Sequence, residues 1–188
     1  ELLDFISIGS PSLHSIDGIS YKFKGENRQN KPREVLQNIE NYPFPDRSLL
    51  MNKHYYSSED MGLIMTSRGC PYKCTFCVTE RQLRRRSIED IIEEMKEVHA
   101  LFGTTQFTFK DDCFTTSKKR VEIFCEMLIA SDLTVSWECN SRVDQINEQL
   151  LLKMKKAGCI FIKVGIESGS EKILKYINKG VTIEKMLD

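Results

Sequence analysis

The chain has 188 residues and a mass of 21.8 kDa, with 40% hydrophobic and 29% charged side chains. Only 10 Gly and 5 Pro are present, which excludes a disordered tail, a collagen-like repeat and a small disulfide-stapled scaffold. The 27 basic and 27 acidic side chains cancel, so a protein that works mainly by coating nucleic acid is not expected.

Residues 1–62 read as an irregular linker. Ile19 to Lys24 alternates like a short strand, and Gly25-Glu26-Asn27 follows as a turn, so a small hairpin fits there. Tyr42-Pro43-Phe44-Pro45-Asp46 cannot be a helix interior, because two prolines fix the backbone and remove donors. From residue 63 the texture becomes regular. Leu63 to Ser67 is a short apolar strand. Ser87 then caps a helix with Ile88, Ile91, Ile92, Met95 and Val98 on one face, and Gly103 stops it. Gln106 to Lys110 is the second strand, followed by a helix using Val121, Phe124, Cys125 and Leu128. Leu133 to Cys139 is the third strand, followed by a helix with Ile146, Leu150, Leu151 and Met154 that ends at Gly158. Cys159 to Ile166 is the fourth strand, and Ser170 caps a helix with Ile173, Leu174 and Ile177 that ends at Gly180. A further helix begins at Thr182, and the chain opens on Glu1, so it reads as a piece of a longer protein.

Strand and helix alternating four times predict βαβ crossovers, a parallel sheet and an α/β fold. In such a sheet or barrel the loops leaving the C-terminal strand ends gather on one face, which carries the chemistry. The first unit is longer than the others because a loop is inserted between its strand and its helix. That loop contains three of the seven cysteines within eight residues, as Cys70-Pro71-Tyr72-Lys73-Cys74-Thr75-Phe76-Cys77.

An odd cysteine count and such close spacing argue against a disulfide framework and for a reducing cytoplasm. No run approaches the ~18 apolar residues of a membrane span. Three thiolates in a C-x3-C-x2-C run can hold one metal centre. No fourth Cys or His follows in the loop, as a structural zinc site requires. A cubane of four irons held by three cysteines keeps one iron open to another ligand.

The run, with Ser67-Arg68-Gly69 before it and a strand end beneath it, resembles the cluster motif of the radical S-adenosylmethionine (SAM) enzymes. The resemblance implies a complete or partial (β/α) barrel, of which residues 63–188 would supply four of six βα units. It implies that Cys70, Cys74 and Cys77 ligate a [4Fe–4S] cluster, with SAM on the fourth iron and Phe76 against its adenine. One electron would then cleave SAM to a 5′-deoxyadenosyl radical that abstracts hydrogen from a substrate, a small molecule. The electron would come from a reductant such as flavodoxin or ferredoxin.

Polar residues at the other strand ends extend the resemblance. Asp111 and Asp112 stand where the family binds the SAM ammonium, often through Gly-Gly-Glu, which this sequence lacks; either could instead cap a turn. Glu138, Asn140 and Arg142 share one side of the third strand, and Arg142 could meet the SAM carboxylate or pair with Glu138. Gly165 would leave room for a cofactor. Glu167 resembles the acidic residue near SAM, or it neutralises Lys163. Arg81, Arg84, Arg85 and Arg86 could bind an anion or RNA, or pair with Glu89, Glu93 and Glu94 as a solvated loop.

Pro43-Phe44-Pro45-Asp46-Arg47, Arg86-Ser87, Asp111 to Thr115 and Gly165 to Ser170 resemble the branch that carries a cobalamin-binding domain ahead of the barrel. Members methylate unactivated centres, close rings or rearrange skeletons. No Asp-x-His-x-x-Gly motif occurs here, so cobalamin would be held by a domain before Glu1 and not by this chain. Two alternatives stay open: a methylthiotransferase acting on tRNA or protein, and a non-catalytic metal-binding module closed by Cys113 or Cys139.

Overall fold

The computed structural model of the chain describes residues 2–9, 12–39 and 42–187. The chain forms two compact units, residues 1–37 and 38–188. The division therefore falls earlier than the change of texture at 62/63. Segment 42–62 belongs with the second unit because it is anchored there. Arg47 donates to Leu63 O and pairs with buried Glu94 at 2.7 Å, and Thr104 Oγ1 donates to Ser58 O.

The first unit holds helix α1 (Leu2–Ile8) and the predicted hairpin, strands β1 (Ser20–Phe23) and β2 (Glu26–Gln29) paired antiparallel. Lys24 and Gly25 make its turn, both at positive φ, which glycine adopts freely and other residues at a cost. Asn30 Nδ2 donates to Leu13 O and Ile16 O and ties the hairpin to the preceding turn.

The second unit is the α/β body. Its parallel sheet has the order β3 (Leu63–Ile64), β6 (Gln106–Phe109), β7 (Ser136–Arg142), β8 (Cys159–Gly165). Helices α2 (Ile88–Phe102), α3 (Lys118–Ala130), α4 (Glu148–Lys156) and α5 (Glu171–Tyr176) follow the strands, and α6 (Ile183–Leu187) follows Thr182. Asp188, expected at the end of that last helix, lies outside the described residues.

Side-chain oxygens start the helices as the sequence predicts. Ser87 accepts from Asp90 N, Ser117 from Arg120 N and Asn147 from Leu150 N. Gly103 closes α2 at φ 70°. Each predicted residue of the α2 and α3 faces is buried. On α4, Leu150 and Met154 are buried, whereas Leu151 is exposed and Ile146 precedes the helix. On α5 only Leu174 is buried, because β8 lies at the sheet edge. Phe109, Phe114, Phe124 and Trp137 pack between sheet and helices with centroids 4.9–5.6 Å apart, and Trp137 Nε1 donates to Ala157 O.

Two strands differ from the sequence reading. The third runs from residue 136 to 142, not 133 to 139. Its start is set by pairing of Ser136 with Gln106, and polar Glu138 and Arg142 do not end it because both find partners. The first strand stops at Ile64. The chain then leaves the sheet, and β4 (Ser67–Arg68) pairs antiparallel with β5 (Arg84–Arg85). This short ladder is the neck of the cysteine loop.

Candidate functional site

The loop from Gly69 to Leu83 is shaped by its neck and by one arginine. Gly69 sits at φ 84°, and a Cβ there would lie 2.3 Å from Gln82 O and 3.0 Å from Glu80 O. Only glycine allows this close return of the chain. Cys70 N donates to Glu80 O across the neck, and Cys77 N donates to Cys74 O. The Arg81 guanidinium donates to three loop carbonyls, those of Tyr72, Cys74 (3.2 Å) and Cys77 (2.9 Å). These carbonyls turn toward one cation.

The other basic residues of this stretch are also engaged. Arg84 pairs with Glu80, and Arg85 donates to Thr116 Oγ1. Arg86 pairs with Asp90 and Glu94 at 2.5 Å, and its guanidinium lies over Phe44. Of the three expected carboxylate partners, Glu94 serves. It is fully buried between Arg47 and Arg86.

Cys70, Cys74 and Cys77 line one cavity of about 260 Å³ at the C-terminal ends of the strands. Phe76 and Asp112 line it too, as do Asn140, Arg142, Gly165 and Glu167. Thus nine of the eleven residues singled out from the sequence meet there. Asp111 and Glu138 do not. Asp111 is buried and accepts from Thr66 N (2.7 Å), Thr66 Oγ1 (2.5 Å) and Ser67 Oγ (2.6 Å). Its carboxylate anchors the chain just before the cysteine loop. Glu138 accepts from Thr108 Oγ1 on the neighbouring strand. Arg142 is not its partner.

Arg142 is the hub of the cavity wall. Its side chain is buried and forked against Asp144, at 2.9 and 3.3 Å, rather than Glu138. Nη2 also donates to Lys179 O, and Nη1 lies 3.8 Å from Cys74 Sγ. The guanidinium stands 3.9 Å over the Tyr72 ring. Gly165 turns out not to be open space: a Cβ there would meet Glu167 Oε1 at 2.7 Å and Lys179 Nζ at 3.2 Å. Glu167 pairs with Lys179 at 2.9 Å, not with Lys163, and holds φ 68°. Cys113 and Lys163 line it as well; Tyr72, Thr79, Ser141 and Lys179 complete the lining and escape the sequence reading, because no local pattern separates them from ordinary loop residues.

The seven cysteines are all free thiols. Hydrogen bonds from Thr79 hold the Cys77 thiol below its ordinary value, whereas burial pushes Cys70 up. Burial also raises Cys113 and pushes the Tyr72 phenol and Cys125 up to about 12. Among the described residues, no three His, Cys, Asp or Glu side chains converge to hold a single metal ion. This arrangement does not favour a closed site completed by Cys113 or Cys139. The donor set suits an iron–sulfur cubane, whose cysteines each bind a different iron and so stand apart.

The comparisons with known proteins agree with this chemistry. An uncharacterized methyltransferase of Pyrococcus horikoshii is 39% identical over 193 residues, covering 100% of this chain and 42% of its own length. An anaerobic magnesium-protoporphyrin IX monomethyl ester cyclase of Synechocystis is 26% identical over 174 residues, covering 89% of this chain and 35% of its own. The solved structure of the cobalamin-dependent S-adenosylmethionine radical enzyme OxsB, with aqua-cobalamin and S-adenosylmethionine bound, matches with a TM-score of 0.83 and 26% identity. That match covers 99% of this chain and 29% of OxsB. The chain thus spans less than half the length of each of these relatives. Residues 64–188 match the family model of the Radical SAM superfamily, and the chain belongs to that superfamily.

Proposed function

We propose that this chain is the cofactor-holding part of an enzyme that cleaves SAM reductively, in cobalamin-dependent methylation or cyclisation of a small molecule. The observation that carries the reading is one cavity at the strand ends lined by Cys70, Cys74 and Cys77 together with a carboxylate, a guanidinium and an aromatic ring. The three cysteines would hold a [4Fe–4S] cluster. When bound, the cluster and SAM together supply a 5′-deoxyadenosyl radical.

The chain's own groups would bind and orient. Asp112, exposed on the cavity and accepting from Thr79 Oγ1 at 3.2 Å, would accept from the SAM ammonium. Arg142, already held by Asp144, would present fixed positive charge beside Cys74. Phe76, 56% exposed, offers a ring face for adenine. Glu167 would accept from ribose hydroxyls, with Lys179 holding its carboxylate in place. Asn140 Nδ2 donates one N–H to Asp111 O, which leaves its other N–H and its oxygen able to meet a ligand.

Among the described residues, no helix is long and apolar enough to cross a membrane. Free thiols at the site suit a cytoplasmic setting and a flavodoxin- or ferredoxin-type reductant. Cobalamin is assigned to the longer protein, not to this chain. The test is anaerobic reconstitution of the full-length protein with iron and sulfide, then dithionite and SAM carrying a labelled methyl group. The expected result is a brown protein that releases 5′-deoxyadenosine. A cluster without that product overturns the reading. Labelled methylthio product selects the methylthiotransferase, and a colourless, zinc-loaded protein selects the metal-binding module.

A further inference from the structure

We propose that the three-residue turn Ile177-Asn178-Lys179, which follows α5, is the positioning element that sets the cysteine loop against the cavity. The inference rests on the cluster reading above. Ile177 O accepts from Thr75 N at 2.9 Å, between the second and third cysteines. Asn178 Nδ2 donates to Lys73 O at 2.9 Å, the residue before Cys74 and 105 positions earlier in the chain. Lys179 O accepts from Arg142 at the end of β7, and Lys179 Nζ pairs with Glu167 beyond the end of β8. Three consecutive residues therefore touch the cysteine loop and two strand ends.

The loop needs an outside support. Between β4 and β5 it has no ladder or helix of its own, so its backbone groups must find partners elsewhere. Arg81 gathers three of its carbonyls from within. The 177–179 turn supplies external partners to its backbone, at Thr75 N and Lys73 O. It is itself fixed: Lys179 N donates to Leu174 O, and the Lys179 side chain is 5% exposed. Asn178 holds φ 53°, a left-handed conformation that Asn tolerates better than most residues. The position thus asks for left-handed backbone and a side-chain donor at once. Three thiols that must each meet a separate iron gain from being set in advance, since looseness in a supporting shell degrades a site.

Two variants of the full-length protein separate the donor from the backbone. Asn178→Gly keeps the left-handed turn and loses the donor. Asn178→Asp keeps shape and turn but presents an acceptor to Lys73 O. In the metal-free protein, hydrogen–deuterium exchange is followed on peptides spanning residues 70–77, with 106–109 as the control strand. In the reconstituted protein, cluster release to an iron chelator and the electron paramagnetic resonance (EPR) line shape are recorded. The expected result is about fivefold faster loop exchange and cluster release in Asn178→Gly, and more in Asn178→Asp, as for one lost hydrogen bond. The control strand stays unchanged. The EPR line shape broadens, whereas simple unfolding would only lower the spin count. Loop exchange equal to wild type in both variants overturns the proposal. A wild-type protein that takes up no cluster refutes the function above, and the exchange comparison still decides this one.

Discussion

Asp111 offers the sharpest test of the distinction between support and ligand. Asp111→Ala removes an acceptor of three hydrogen bonds, from Thr66 N, Thr66 Oγ1 and Ser67 Oγ, at a site 1% exposed to solvent. A water entering the vacated space would satisfy these donors only in part, because it cannot accept from all three as the carboxylate does. At about 1–2 kcal/mol for each orphaned donor, the loss is about 3–6 kcal/mol. For a body of this size, each kcal/mol lowers the melting midpoint by about 2–4 °C, so the fall is roughly 6–24 °C. Asp111→Asn keeps the shape and can still accept from Thr66 N, while its amide faces hydroxyls that can turn to accept; about half the fall is expected. The assay is thermal unfolding followed by circular dichroism, with SAM binding to the reconstituted protein measured beside it. A wild-type midpoint in Asp111→Ala with selectively lost SAM affinity would refute the anchoring role and return Asp111 to the cofactor.

Three further outcomes follow from the geometry of the cavity. Gly165→Ala places a Cβ 2.7 Å from Glu167 Oε1, which forces the carboxylate off Lys179; a cost of about 1–3 kcal/mol and weaker SAM binding are expected in calorimetry. Arg81→Lys keeps the charge but loses the planar fork that serves three carbonyls, so the variant should retain less iron per chain after gel filtration. In the metal-free protein, a lowered Cys77 value means its thiolate forms at lower pH, and a raised Cys70 value means the reverse. Alkylation mapped by mass spectrometry should therefore label Cys77 at lower pH than Cys70, and identical pH profiles would contradict the assigned environments.

Periodicity made the body legible. Ile91, Met95 and Val98 recur at helical spacing, and Phe107 and Phe109 alternate, because one face of each element is buried. The start of β7 was less legible, since Leu133-Thr134-Val135 has strand-like residues but the pairing that fixes register is tertiary. That the three cysteines share one cavity was legible from their spacing, the residues before them and the strand end beneath them. The division of labour between Asp111 and Asp112 was not: adjacent residues point to different surroundings, and only the fold shows which one meets Thr66. Lys179 and Asn178 gave no local signal, because their partners Arg142, Glu167 and Lys73 lie far away in sequence. Gly165 misled in an instructive way, since the space left by its missing side chain is filled by the chain's own ion pair.

The central claim is that Cys70, Cys74 and Cys77 build a cluster with one iron available to SAM in the cavity they share. EPR of the anaerobically reconstituted, dithionite-reduced full-length protein, recorded with and without SAM, tests it most directly. The account predicts the signal of a reduced [4Fe–4S] cluster that changes when SAM is added and disappears in Cys74→Ala. A cluster signal that survives Cys74→Ala, or one indifferent to SAM, would contradict it.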